Sequence, residues 1–142
     1  HVIVQTYSPE HYAVTAAAAH DYEAFYRTEI KMRKLLGYPP YADMMQIVVS
    51  SAEESDAQAG ANLTEALLRR ALGDREALNL MGNRPAPIGK ASGRYRYHMI
   101  LKCPKGKRPL YTSFIDAVQR QIIADKKNKF NIYVDINPYS FM

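Results

Sequence analysis

Residues 94–103 of the chain read RYRYHMILKC. Side chains of a β-strand point alternately to its two faces, so this stretch predicts a strand with one apolar and one basic face. The apolar face holds Tyr95, Tyr97, Met99, Leu101 and Cys103, and the basic face holds Arg94, Arg96, His98, Ile100 and Lys102. We expect the apolar face to pack in a core and the basic face to be exposed.

The segment around this strand is strongly basic. It contains no Asp or Glu between Asn83 and Arg108, whereas the segment from Glu53 to Glu76 is acidic. The basic residues are Arg84, Lys90, Arg94, Arg96, Lys102, Lys105, Lys107 and Arg108. The formal net charge of +5 is therefore concentrated on one part of the chain, where its field attracts a polyanion or an acidic partner. The alternative is a solvated surface that serves only solubility.

The beginning of the chain predicts a strand followed by a helical linker. Residues 1–9 open with the apolar run VIV and no turn before it, so we expect them to be the last strand of a larger unit. Ser8 and Pro9 predict the start of a helix, as its N-cap and its first residue. Residues 10–40 are expected to form a helical linker whose second helix ends at Gly37, ahead of two prolines.

Residues 41–142 change to alternating strand and helix patterns. Residues 44–49 alternate as a strand, and Ser51 with Glu54 fits a capping box at the start of an amphipathic helix. That helix is expected to close at Gly73. The pattern therefore predicts a strand that leads directly into a helix.

The second half of this region repeats the pattern. Residues 78–81 predict a short strand that breaks at Gly82, and the prolines that follow place the next stretch at a sheet edge or in a loop. Residues 89–93 are expected to turn into the RYRY strand. After a loop, Pro109 begins a helix, and residues 132–136 form the last strand.

The predicted order over Tyr41–Pro138 is βαββαβ, the order of the ferredoxin-like split βαβ arrangement. It predicts an α+β domain in which two helices cover one face of an antiparallel sheet and leave the other face available. The predicted organisation is a strand in residues 1–9, a linker in 10–40 and a C-terminal domain in 41–142.

Several classes of function lack their usual motifs. The chain has no glycine-rich phosphate loop followed by Lys-Ser or Lys-Thr, no HExxH and no cysteine pair. His11 and His20 are too far apart for a metal pair on one helix. Cys103 is the sole cysteine, and we expect a small buried apolar residue in a reducing, cytoplasmic compartment. Because these motifs are missing, we expect no catalytic residue and no metal site. No stretch is long and apolar enough to span a membrane, so we also expect no membrane contact.

Arginines interleaved with tyrosines are typical of proteins that bind single-stranded nucleic acid. The candidate contacts are Arg84, Lys90, Arg94, Arg96, Lys102, Tyr95 and Tyr97. If the two tyrosines share the apolar face, they pack in the core instead, and the cations contact phosphates without reading sequence. A remote alternative, from fold analogy alone, is an acylphosphatase-like enzyme in which Arg94 or Arg84 holds a phosphate with Asn83.

An ordered set of short motifs along the chain resembles a known family. The set consists of VIVQT at 2–6 with Pro9 and His11, DY at 21–22, FY at 25–26 with Glu29 and Arg33, YPP at 38–40, PAP at 85–87 and GRYR at 93–96. Because the motifs keep their order over most of the chain, the resemblance is specific. It is to the C-terminal end of the PriA (primosomal protein N′) family of replication-restart DNA helicases.

The resemblance implies a non-catalytic part of an ATP-dependent helicase. In that family the C-terminal domain contributes DNA and partner contacts, while the motifs that bind ATP, magnesium and zinc lie upstream. The implied partners are forked or single-stranded DNA, other primosome proteins and the single-stranded DNA-binding protein. As a second possibility, a protein-interaction surface would hold the acidic, Phe-ended tail of that last protein. The candidate residues for it are Lys105, Lys107, Arg108 and Leu110.

Overall fold

The computed structural model of the chain describes residues 2–139, which form four helices and four strands. The helices are α1 (Tyr12–Ala18), α2 (Tyr22–Leu36), α3 (Glu54–Ala77) and α4 (Arg108–Ala124). The strands are β1 (Ala42–Ser51), β2 (Leu80–Ala91), β3 (Arg94–Pro104) and β4 (Asn131–Ile136). Within this described range, no helix has the length and apolar character needed to cross a membrane.

The strands form one antiparallel sheet in the order β2-β3-β1-β4. β1 pairs with β3 on one side and with β4 on the other. β1 and β2 therefore run parallel with β3 between them, and β3 and β4 run parallel with β1 between them. The helices α3 and α4 are the crossovers of these two split βαβ units, so the ferredoxin-like α+β prediction is confirmed.

Alternation along the strands decides which sheet face the helices α3 and α4 cover. The inward side chains of β1 and β3 are Met45, Ile47, Val49, Tyr97, Met99, Leu101 and Cys103, and each is at most 7% exposed. The helix α4 adds buried residues at three- and four-residue spacing, which are Tyr111, Ile115, Val118 and Ile122. This side is the helix-covered face, and the opposite side, with the basic set of β3, is called the open face below.

The linker ends as the sequence predicts but begins differently. Asp21 caps α2 by accepting a backbone amide hydrogen bond of 2.9 Å, and Gly37 ends that helix with a φ of 61°. The predicted cap Ser8 is wrong. Its carbonyl accepts the His11 amide in a turn (3.1 Å), and the His11 ring nitrogen caps α1 instead (3.2 Å).

Residues 2–6 belong to no strand in the structure, and they expose Val2 and Ile3 almost fully, at 91% and 92%. His1 lies outside the described residues. The assignment of residues 1–9 to another unit's sheet therefore stays a prediction.

The boundaries of α3 also differ from the sequence prediction. Ser51 is not a helix cap because it remains in β1, where its hydroxyl donates to the Lys129 carbonyl (2.8 Å). The helix α3 begins at Glu54 without a side-chain cap. Gly73, with a φ of 73°, interrupts α3 but does not close it, and the helix resumes until Ala77.

The strand β2 is longer than predicted and does not break at Gly82. It continues through Pro85 and Pro87 as an edge strand, where a missing N–H need not break a ladder hydrogen bond. Two register shifts against β3 absorb the remaining irregularity. The turn into β3 is shorter than predicted and consists of Ser92 and Gly93, both with positive φ.

Candidate nucleic-acid interface

The open face carries cations of two neighbouring strands. Arg84 of β2 is in register with His98 of β3, and alternation places Arg94, Arg96 and Lys102 on the same side of β3. Across the other two strands the face continues with Met44, Gln46, Val48 and Ser50 of β1 and with Asn131, Tyr133 and Asp135 of β4.

Three arginines on this face have no acidic partner. The four ion pairs among residues 2–139 lie on α2, on α3 and at the start of α4, and none includes Arg84, Arg94 or Arg96. Among the strand residues of the described range, the open face carries the carboxylate of Asp135, which lies on the far strand β4. The positive charge of the three arginines is therefore not neutralised by an ion pair within the described residues.

Arg94 and Arg96 differ in their hydrogen bonding. Arg94 is held by β1, because its Nη2 donates to the Ser50 carbonyl (2.9 Å) and its Nε to the Ser50 hydroxyl (3.3 Å). The Nε of Arg96 is buried and has no hydrogen-bond partner in the described part of the chain. A buried donor without an acceptor costs free energy, so the hydrogen-bonding capacity of Arg96 is not fully used within the described residues.

His98 responds to the charge on this face. Its side chain is buried, with Nδ1 3.1 Å from Nε2 of Gln46. Burial, followed by the charges of Arg84 and Arg96, lowers the pKa of His98. The imidazole is therefore neutral at pH 7, and the positive character of the face comes from the arginines.

The prediction that the whole basic face is exposed is wrong for His98 and Ile100, which are only 4% and 7% exposed. Because β3 is an inner strand, side chains on both neighbouring strands flank and shield its middle positions, as Val48 and Arg84 do for His98. Arg84 is exposed, and Arg94 and Arg96 are half-buried. The accessible cations thus lie toward the β2–β3 turn.

Lys90, Tyr95 and Tyr97 lie apart from these arginines. Tyr97 is a buried core residue and Tyr95 packs against the same core, on the helix-covered face. Lys90 donates to the Tyr95 hydroxyl (3.1 Å) and lies 4.2 Å from the centroid of its ring. Of the two possibilities for the tyrosines, the structure therefore shows core packing.

Lys102 is on the open face but at its other end. Its Nζ donates to the carbonyl of Leu36 (2.9 Å) and lies 4.4 Å from the centroid of the Tyr38 ring. Lys102 therefore ties the end of α2 to the sheet, and its ammonium is already bonded within the chain.

The predicted tail-binding residues lie where β3 leads into α4. Lys107 pairs with Glu76 (2.9 Å), whereas Lys105 and Arg108 are exposed and take part in no ion pair among residues 2–139. Leu110 is 47% exposed beside them. β3 lies between this surface and Arg94. At about 3.3 Å per residue, its length separates the two by roughly 30 Å.

The structure does not bring Asn83 together with Arg84 or Arg94 to form the phosphate site of an acylphosphatase-like enzyme. The Asn83 amide donates to Glu65 (2.5 Å) and to Asn62 (3.2 Å), both on α3, while Arg84 lies on the open face. Arg94 is bonded to Ser50 instead.

The structure also bears on metal and thiol chemistry. Among residues 2–139, no group of three His, Cys, Asp or Glu side chains could hold a metal ion. Cys103 is buried in the core, as expected, and burial raises the pKa of its thiol. A reactive thiolate is therefore disfavoured at this position.

Comparison with protein families matches residues 34–139 to the Primosomal protein N C-terminal domain. The chain belongs to this family. The matched segment includes the whole sheet with α3 and α4, and it confirms the resemblance carried by the sequence motifs.

The chain is similar to three proteins named replication restart protein PriA. It is 31% identical to that of Bacillus subtilis over all of this chain and 17% of the relative. It is 33% identical to that of Synechocystis over 72% of this chain and 12% of the relative, and 33% identical to that of Thermotoga maritima over 83% and 16%. The chain spans less than a fifth of the length of these relatives.

Sequence reasoning missed one residue of the open face of this family domain. Tyr133 lies between Ile132 and Val134, which pack against the core, so its ring must point to the opposite side. It is 44% exposed and shares the open face with the arginines. The alternation in NIYVDI at residues 131–136 was the signal that could have found it.

Proposed function

We propose that this domain binds DNA through phosphate contacts from Arg84, Arg94 and Arg96, as the C-terminal module of a replication-restart protein. The observation that carries the proposal is the group of three guanidiniums on the adjacent strands β2 and β3, without ion-pair partners among residues 2–139. The relatives are named replication restart protein PriA, which supports a role in replication restart.

The chemistry of the group suits a nucleic-acid backbone. Neighbouring strands lie about 4.8 Å apart, so charges on β2 and β3 can act on one stretch of phosphates. A planar guanidinium can donate two hydrogen bonds to a single phosphate. Such contacts release counterions and read no base edges, so binding should depend steeply on salt and weakly on sequence.

The wider role of the parent protein is part of this proposal. The relatives' name supports a role in replication restart, and the family resemblance implies a helicase that acts at stalled forks with other primosome proteins. The domain then contributes binding rather than catalysis, and chemistry that needs ATP, magnesium or zinc belongs to other parts of that protein.

The test is fluorescence anisotropy of labelled forked and single-stranded DNA over a salt series. The triple variant Arg84→Ala, Arg94→Ala, Arg96→Ala should bind more weakly, and its logarithmic salt slope on single strands should be lower by about 2, at about 0.7 per lost phosphate contact. Melting curves for every variant check that it is folded.

A matched control removes the same charge from the helical layer. Arg120, Lys126 and Lys127 are exposed on or just after α4, so replacing all three with Ala lowers the net charge equally. This control should keep most of the affinity. Equal weakening by both triple variants, or no DNA binding at low salt, would contradict the proposal.

A second candidate function is capture of an acidic protein tail by the surface at the start of α4. The observation that favours it is the exposed Leu110 beside Lys105 and Arg108, two cations that form no ion pair among residues 2–139. The tail of the single-stranded DNA-binding protein would offer its acids to the cations and its terminal Phe to Leu110. Such an anchor dominates a small interface, so removing the Phe or changing Leu110 to Ala should abolish peptide binding. Equal affinity for the peptides with and without Phe would exclude this candidate.

A further inference from the structure

We infer that Tyr133 is a base-stacking residue that makes the open face selective for single-stranded over duplex DNA. This inference rests on the proposed function of the same face, and it adds the part of the ligand that phosphate contacts do not recognise.

The position of Tyr133 follows from the strand registers. Tyr133 of β4 is directly opposite Val48 of β1, Val48 is opposite His98 of β3, and His98 is opposite Arg84 of β2. These four residues form one row across the open face. At about 4.8 Å per strand, the row places Tyr133 roughly 10 Å from β3 and roughly 14 Å from β2.

The ring of Tyr133 is available to a ligand. It is 44% exposed, and within residues 2–139 it makes no ring contact, and its hydroxyl makes no hydrogen bond. In contrast, Tyr97 and Tyr111 are buried and the Tyr95 hydroxyl is bonded to Lys90. Tyr133 is thus an aromatic side chain on the same face as arginines that form no ion pair within residues 2–139.

Charges on the face limit where the strand of DNA can run. Asp135 lies two residues beyond Tyr133 on the same side of β4, opposite Gln46, and its carboxylate repels phosphate. Lys102 at that end is bonded to the end of α2. Phosphates are therefore favoured toward Arg94 and Arg96, with a base reaching across β1 to Tyr133.

This arrangement discriminates between single and double strands for a physical reason. A base must leave its own stack to lie on a protein aromatic ring, and a single strand allows this at far lower cost than a duplex. Phosphate contacts alone accept both forms. Single-strand selectivity should therefore depend on Tyr133, while overall DNA affinity depends on the arginines.

The first experiment compares oligothymidine, an abasic oligonucleotide of equal length and a duplex. Loss of one stacked base should weaken oligothymidine binding by about 5-fold to about 150-fold in Tyr133→Ala, with little change for the other two ligands. Tyr133→Thr keeps strand propensity and should behave like Tyr133→Ala, whereas Tyr133→Phe should bind like the unchanged chain. The exposed Tyr7, far along the chain, provides the matched Tyr7→Ala control.

A second measurement does not depend on a loss of binding. The chain contains no Trp and eleven Tyr, so Tyr133→Trp introduces a single tryptophan whose emission can be excited separately from that of the tyrosines. Saturating oligothymidine should quench its emission, and the abasic ligand should not. Unchanged oligothymidine affinity in Tyr133→Ala, or no quenching in Tyr133→Trp, overturns the stacking role while leaving the arginine contacts in place. No binding of any DNA by the unchanged chain would overturn both proposals.

Discussion

Replacing Gly60 of α3 with Ala is predicted to destabilise the domain, although alanine is the better helix former. A Cβ at this position would lie under 3.0 Å from three carbons of the Phe130 ring. Contacts that short require the ring to move, and overfilling a packed site costs about 1–3 kcal/mol. Replacing glycine in a helix gains about 1 kcal/mol. Since the new Cβ overlaps three ring atoms, we expect the steric cost to lie at the upper end of this range. The free energy of unfolding should then fall by about 2 kcal/mol in total.

Urea unfolding followed by circular dichroism measures this loss, which should lower the Tm by about 6 °C in a chain of this size. Ala59→Gly, at an exposed position one residue before Gly60 in α3, is a control for helix propensity alone. It should lower the free energy of unfolding by about 1 kcal/mol. The decisive comparison is Gly60→Ala in a Phe130→Ala background, where the ring is gone and the substitution should become stabilising. The steric reasoning is refuted if Gly60→Ala destabilises equally in both backgrounds.

Two further predictions concern buried and bridging groups. Burial and the hydrogen bond to Glu76 raise the pKa of Tyr111 to about 12. Since the unfolded phenol ionises near pH 10, stability is fully present below that pH and falls by up to about 2.7 kcal/mol as pH rises to 12, as urea midpoints can measure. Tyr111→Phe should lack this dependence, and a parallel decline would contradict it. Lys102→Met should free the end of α2, because it removes the hydrogen bond to the Leu36 carbonyl. Amide exchange in residues 36–41 should then be faster, while β1 stays protected. Unchanged exchange would show that the Lys102 bond does not fix the linker.

Much of the sheet could be predicted because alternation is a local property. The apolar and basic sets of residues 94–103 lie on opposite faces, as expected, and Gly37 ends α2 because its left-handed conformation suits glycine. The capping signals were less reliable. Ser8 and Ser51 have hydroxyls that suit an N-cap, but a turn holds Ser8 and strand pairing holds Ser51.

The accessible part of the site could not be predicted from β3 alone. Whether His98 is exposed depends on the side chains that flank it on β2 and β1, and those neighbours are set by sheet order. The tyrosine on the open face came from β4, about 35 residues from the RYRY motif, and not from that motif. Only the folded sheet brings Tyr133 and the arginines to one side.

The two prolines of β2 have a consequence for how this protein behaves in concentrated solution. A free sheet edge is a template on which other chains can add strands, and many proteins prevent this with charged side chains that salt can screen. At the β2 edge, Pro85 and Pro87 remove two hydrogen-bond donors from the backbone itself, and two register shifts distort the ladder. This protection is covalent, so the β2 edge should resist strand addition equally well in low salt and in high salt.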